Sequence, residues 1–103
     1  MTKEKATSPE KKAALEAIKG EFKGTDSETQ RTRIIETLRR VGAVTTYEAR
    51  RYLDIYFPPA RAKELRDQGE RITTHWQQIT TETGDLHRVG LYVLESGVRH
   101  EAA

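Results

Sequence analysis

Apolar positions recur with a helical period up to about residue 69 and alternate, strand-like, after it. Ser8-Pro9-Glu10 is a helix start: the serine caps free amides, proline suits the first helical position, and the glutamate faces the positive end of the dipole. Leu15, Ile18 and Phe22 follow on one stripe, and Gly20 and Gly24 weaken and end the helix. Three large apolar side chains stabilise a short isolated helix only slightly. Residues 1–24 are therefore read as a basic N-terminal arm, either largely disordered or partly helical and docked. Its partner in the docked case is its own domain, a second copy or another protein, met through Leu15, Ile18 and Phe22.

The overlapping boxes Thr25-x-x-Glu28 and Ser27-x-x-Gln30 predict a helix over about 28–40, with Ile34, Ile35, Leu38 and Val41 inward and Gly42 as its stop. Ala43-Val44 is a short extended piece. A further box, Thr45-x-x-Glu48, opens a helix over about 46–53 that buries Ala49 and Leu53. Residues 54–57 connect it tightly to a third helix, which Pro58-Pro59 opens, which runs to about Gln68 and which Gly69 closes. Beyond it, Ile72, Thr74, Trp76 and Gln78 alternate with Thr73, His75, Gln77 and Ile79. A turn with its corner near Thr83-Gly84 and a return strand over 89–94 complete a hairpin. Residues 96–103 read as a flexible tail.

Three short helices, a stub of strand and a C-terminal hairpin, in that order, make an α+β winged helix over residues 25–95. The second and third helices form its helix-turn-helix and the hairpin its wing. The expected core is Ile34, Ile35, Leu38, Val41, Val44, Ala49, Leu53, Ile55, Ala62, Leu65, Ile72, Val89, Leu91 and Val93.

Composition narrows the function. At 103 residues the chain is one small domain. The absence of cysteine excludes disulfide scaffolds, thiolate zinc sites and cysteine nucleophiles. No apolar run approaches the roughly 20 residues of a membrane span, and KEKATSPEKK lacks the apolar core of a signal peptide, so the chain is read as cytoplasmic. The net charge of +2 and the isoelectric point near 9.0 invite a nucleic-acid reading, but the excess is local. Residues 1–24 carry six lysines against four glutamates, whereas residues 25–96 are neutral overall. Within them, 27–71 are arginine-rich and 72–96 mildly acidic. Arginine forks suit phosphates and guanine edges; they equally suit the solvated side of helices.

The stretch TTYEARRYLDIYFPPARAKELRDQGERI resembles a family of small helix-turn-helix proteins found mostly in bacteriophages and prophages. Thr45, Thr46, Glu48, Ala49, Arg50, Leu53, Ile55, Pro58, Ala60, Arg61, Glu64, Leu65, Arg66, Gly69 and Ile72 fall in register with its pattern, and the likeness covers about residues 27–94. The resemblance implies a winged-helix fold and a DNA-binding, regulatory role. Asp54 stands where that family often has glycine at a turn favouring positive φ, which aspartate tolerates better than most residues. Ala62 replaces a larger aliphatic, so one of Tyr56, Phe57 or Trp76 is expected to fill the space against the third helix.

If that helix enters a major groove, the candidate DNA-binding residues are Thr45, Thr46, Arg50, Arg51, Pro59, Arg61, Lys63 and Arg66. Arg61 suits a bidentate guanine contact and Lys63 a base or a phosphate. Arg50 and Arg51 lie over the backbone, and the amides of Thr45 or Thr46 suit a phosphate at a helix start. Against this, Arg61 and Arg66 have Glu64, Asp67 and Glu70 within reach as internal partners. The wing tip carries Glu82 and Asp85, a poor phosphate surface. No enzyme, metal site or cofactor is expected, since His75 and His87 fall opposite about Tyr92 and Thr80 and do not converge. The partner is double-stranded DNA, bound by a transcriptional or recombination regulator. The alternative is a protein-interaction module docking through Leu15, Ile18 and Phe22.

Overall fold

A computed structural model describes residues 7–95. The elements are α1 (Pro9–Glu21), α2 (Ser27–Arg40), β1 (Ala43–Thr45), α3 (Thr46–Tyr52), α4 (Pro58–Asp67), β2 (Ile72–Thr80) and β3 (Leu86–Leu94). The three strands form one antiparallel sheet in the order β1-β3-β2. Helices α2, α3 and α4 with this sheet make the winged helix. The expected 96–103 tail and the first six residues of the arm lie outside the described residues.

Local chemistry explains most boundaries. Thr45 Oγ1 accepts from the Glu48 amide at 2.9 Å while Glu48 Oε1 accepts from the Thr45 amide at 3.0 Å, a complete capping box for α3. Asp54 turns the chain between α3 and α4 at φ 56°, the left-handed conformation its short polar side chain tolerates. At the start of α2 neither expected box forms. Asp26 is the N-cap residue, its carboxylate accepts from Thr29 Oγ1, and Gln30 donates back to the Thr25 carbonyl at 2.8 Å.

Of the alternatives open for the N-terminal segment, the structure takes docking on its own domain. Ser8 caps α1 by accepting from the Lys11 amide, and the helix packs on α2 and α3. Leu15 is 0% exposed and Ile18 2%, and both belong to the same apolar cluster as Ile34, Leu38, Leu53 and Ile55. They are interior side chains and offer no surface to another protein or a second copy. Phe22 is half-buried, with the Arg40 guanidinium over its ring at 5.7 Å.

Polar anchors fix the same helix. Lys11 Nζ meets the buried Glu48 carboxylate at 2.9 Å, and Thr7 Oγ1 donates to it at 2.8 Å. Arg33, 3% exposed, donates to the carbonyls of Phe22, Leu53 and Gly24 at 2.8–2.9 Å, tying the α1–α2 connection to the end of α3. Periodicity cannot find such a residue, because an inward arginine looks like a break in the apolar stripe until the carbonyls it serves are known.

In the sheet the expected Ile72 and Val89 are buried, but the core position of β3 beside β1 is not the expected one. Tyr92 is buried and Leu91 and Val93 only half-buried, because Tyr92 pairs with the buried Val44 of β1 and alternation carries its neighbours to the other face. Ile79 is buried as well, and Val41 only half-buried. The hairpin register also moves by one: His75 faces Leu91 and His87 faces Ile79. A loop of residues 81–85, closed by bonds from the Thr81 amide to Asp85 and from the Gly84 amide to Thr81, replaces a two-residue Thr83-Gly84 corner. None of the three aromatics expected to fill space against α4 is buried: Tyr56, Phe57 and Trp76 are all exposed, and Tyr92 is the buried aromatic of the core cluster.

Candidate nucleic-acid interface

An open groove of about 340 Å³ runs between α3, α4 and the hairpin. Thr46 and Arg50, one helical turn apart, form its α3 wall; Pro59 and Arg66 come from α4; Thr74, Trp76, Arg88, Val89, Gly90 and Tyr92 come from the sheet. Three arginines line it and no carboxylate does. Among the described residues Arg50 and Arg88 have no acidic partner. Arg66 spends part of its guanidinium on the Ile72 carbonyl at 2.7 Å and on Thr74 Oγ1 at 2.8 Å, which hinges the hairpin to α4. Burial pushes the Tyr92 phenol above its ordinary pKa, while the charges of Arg66 and Arg50 act in the opposite sense. Both cations therefore project their field into one space.

Trp76 stands on the groove wall at 61% exposure, with Arg88 stacked over its ring at 4.7 Å. The indole faces Gly90 across the β2–β3 pair. A Cβ at Gly90 would crowd Thr74 Cγ2 at 3.2 Å and come into ordinary van der Waals contact with Trp76 Cζ3 at 3.7 Å, so the indole packs close to a bare stretch of backbone. Neither Trp76 nor Arg88 was among the sequence candidates. A tryptophan opposite a glycine was the available signal, readable only with the correct register.

The expected residues divide. Thr46, Arg50, Pro59 and Arg66 are brought together. Thr45 is buried in the capping box with its amide given to Glu48, so it has none to offer a phosphate. Arg61 lies against α2, donating to Glu64 Oε2 at 2.7 Å and Ser27 Oγ at 2.9 Å, because its position on α4 faces that neighbour. Glu64 is shared with Arg31 at 2.8 Å, and the two guanidiniums hold its carboxyl below the ordinary range. Lys63 pairs with Asp67 at 2.9 Å on the solvated side. Arg51 pairs with Glu82 at 2.7 Å, and Tyr47 donates to the same carboxylate at 3.1 Å, so the acidic wing tip is tied to α3.

In chemical terms the face offers unpaired guanidiniums beside an aromatic platform, with no nucleophile–base pair among its lining residues. Among the described residues no helix is long and apolar enough to cross a membrane. A family model described as a winged helix-turn-helix domain matches residues 29–97. No curated protein and no solved structure matches the chain.

Proposed function

The chain belongs to the winged helix-turn-helix domain family, and we propose that it binds duplex DNA on the face formed by α3, α4 and the wing. The observation that carries the reading is the groove in which Arg50, Arg66 and Arg88 converge with no carboxylate among the lining residues. An acid-free cationic cleft between helix-turn-helix and wing suits a polyanion; acids interrupting it would have suited a protein partner. On this reading α4 enters the major groove, Arg50 and Arg88 meet phosphates on either side, and Lys63 trades Asp67 for the backbone. The protein acts by binding, without catalysis, as a transcriptional or recombination regulator of phage or prophage type in the bacterial cytoplasm.

The test is anisotropy of a labelled duplex over a salt series, with quenching of the sole tryptophan, Trp76, as a second readout. Affinity falls steeply with salt, and Arg50→Ala and Arg88→Ala each lower the log–log slope by about 0.9, the value for one lost phosphate contact. Arg66 is left intact because it also holds the hairpin. Absence of salt-dependent binding, or a double variant that binds as wild type, overturns the proposal.

A further inference from the structure

The amino-terminal end of α4, which a helix-turn-helix directs at base edges, presents carbon where charged donors were expected. Tyr56 is 70% exposed and Phe57 56%, and both directly precede Pro58-Pro59. Prolines carry no N–H, and the next two amides, of Ala60 and Arg61, both point to the Phe57 carbonyl at 3.1 and 3.4 Å. The end of this helix therefore has no free amide for a phosphate, and Phe57 as N-cap residue supplies no side-chain cap. Of the two cations of the helix that suit base reading, Arg61 is engaged by Glu64 and Ser27, and Lys63, exposed and paired with Asp67, is the one given to the backbone. What remains outward is Tyr56, Phe57 and Pro59, and Pro59 is also part of the cationic groove.

We propose that Tyr56 and Phe57 are the sequence-discriminating residues of this DNA face, and that they recognise thymine 5-methyl groups. The inference rests on the duplex-binding reading. In a major groove the one apolar group that protrudes from a base edge is that methyl, where cytosine has only a hydrogen, and aromatic and small apolar side chains are its complement. Arg50, Arg66 and Arg88 anchor the backbone without regard to sequence, and the aromatic pair, joined to the groove through the neighbouring Pro59, selects the step. Specificity then arises from apolar burial, and its contribution is insensitive to salt.

The experiment uses the full chain to select from a random-sequence duplex pool at physiological salt. The tightest binder is then resynthesised with deoxyuridine for thymidine, which preserves every base pair and removes only the methyls. Enriched sequences share thymines. Each contacted methyl lost weakens binding about fourfold, the transfer value of one buried carbon. In Phe57→Ala, and in Tyr56→Ala as an independent variant, the thymine-to-uracil ratio moves toward unity while the salt slope stays as in wild type. Both side chains are exposed, so both variants melt with wild type. Equal affinity for the two duplexes, a ratio unchanged in both variants, or a selected site without thymine overturns the inference and leaves duplex binding standing. Sedimentation showing that Phe57→Ala dissociates a dimer also overturns it, since the pair then covers a second copy. Failure to enrich any duplex overturns both readings together.

Discussion

Replacing Leu15 with alanine tests whether the N-terminal helix is part of the domain. Its side chain is fully buried among residues of α2, α3 and the α3–α4 connection. The substitution removes three carbons, about 2.4 kcal/mol at ~0.8 kcal/mol each, and the incompletely closed cavity brings the loss to about 3–4 kcal/mol. A chain of this size is stable by roughly 5–15 kcal/mol, so about a fifth or more of its stability is at stake. At about 4–8 °C per kcal/mol, the midpoint falls by at least ~12 °C. Far-UV circular dichroism through heat and urea melts reads both quantities, with the exposed Glu16→Ala on the same helix as a control held within about 0.5 kcal/mol. A loss under ~1 kcal/mol, or a small early transition ahead of an unchanged main one, would show that α1 melts independently and refute the reasoning.

Other outcomes follow from single contacts. Arg33→Ala strands three carbonyls and destabilises by roughly 3–5 kcal/mol, and Arg33→Lys restores little because an ammonium cannot reproduce the fork; urea midpoints decide both. Gly90→Val crowds Thr74 and adds γ-methyls beyond a Cβ already in contact with the Trp76 ring, shifting the emission of the only tryptophan and weakening duplex binding; an unchanged spectrum would contradict the packing. Glu64 is held below its ordinary pKa by Arg31 first and Arg61 second, and Glu21 by Arg40. A depressed native pKa means stability that is present above the ordinary carboxylate range, near pH 4.3, and lost as pH falls through the native value. Urea midpoints accordingly decline below that pH, and Glu64→Gln flattens the decline; a variant with the same pH profile as wild type would remove Glu64 from the account.

Much of the site was legible in residue types and spacing, and the reasons for the rest are physical. Thr46, Arg50, Pro59 and Arg66 are recognisable because helical period and the proline pair orient α3 and α4. Arg61 has the same local credentials as Arg66, and only the position of α2 hands it to Glu64 and Ser27. Trp76 and Arg88 depend on a hairpin register that a five-residue loop shifts by one, which exchanges every cross-strand partner.

Capping boxes, proline and glycine placement and the change of period act within a few residues. The sequence by itself therefore determined that there would be helices at these positions, a hairpin after Gly69, a left-handed turn at Asp54 and a winged helix-turn-helix over most of the chain. Which apolar stripe finds a partner, and which arginine meets a carboxylate, depends on groups tens of residues away. Only the tertiary structure drew α1 into the core through Leu15, Ile18 and the Lys11–Glu48 pair, and only it sorted the ten arginines among the described residues into those that hold the fold and those left facing solvent beside Trp76.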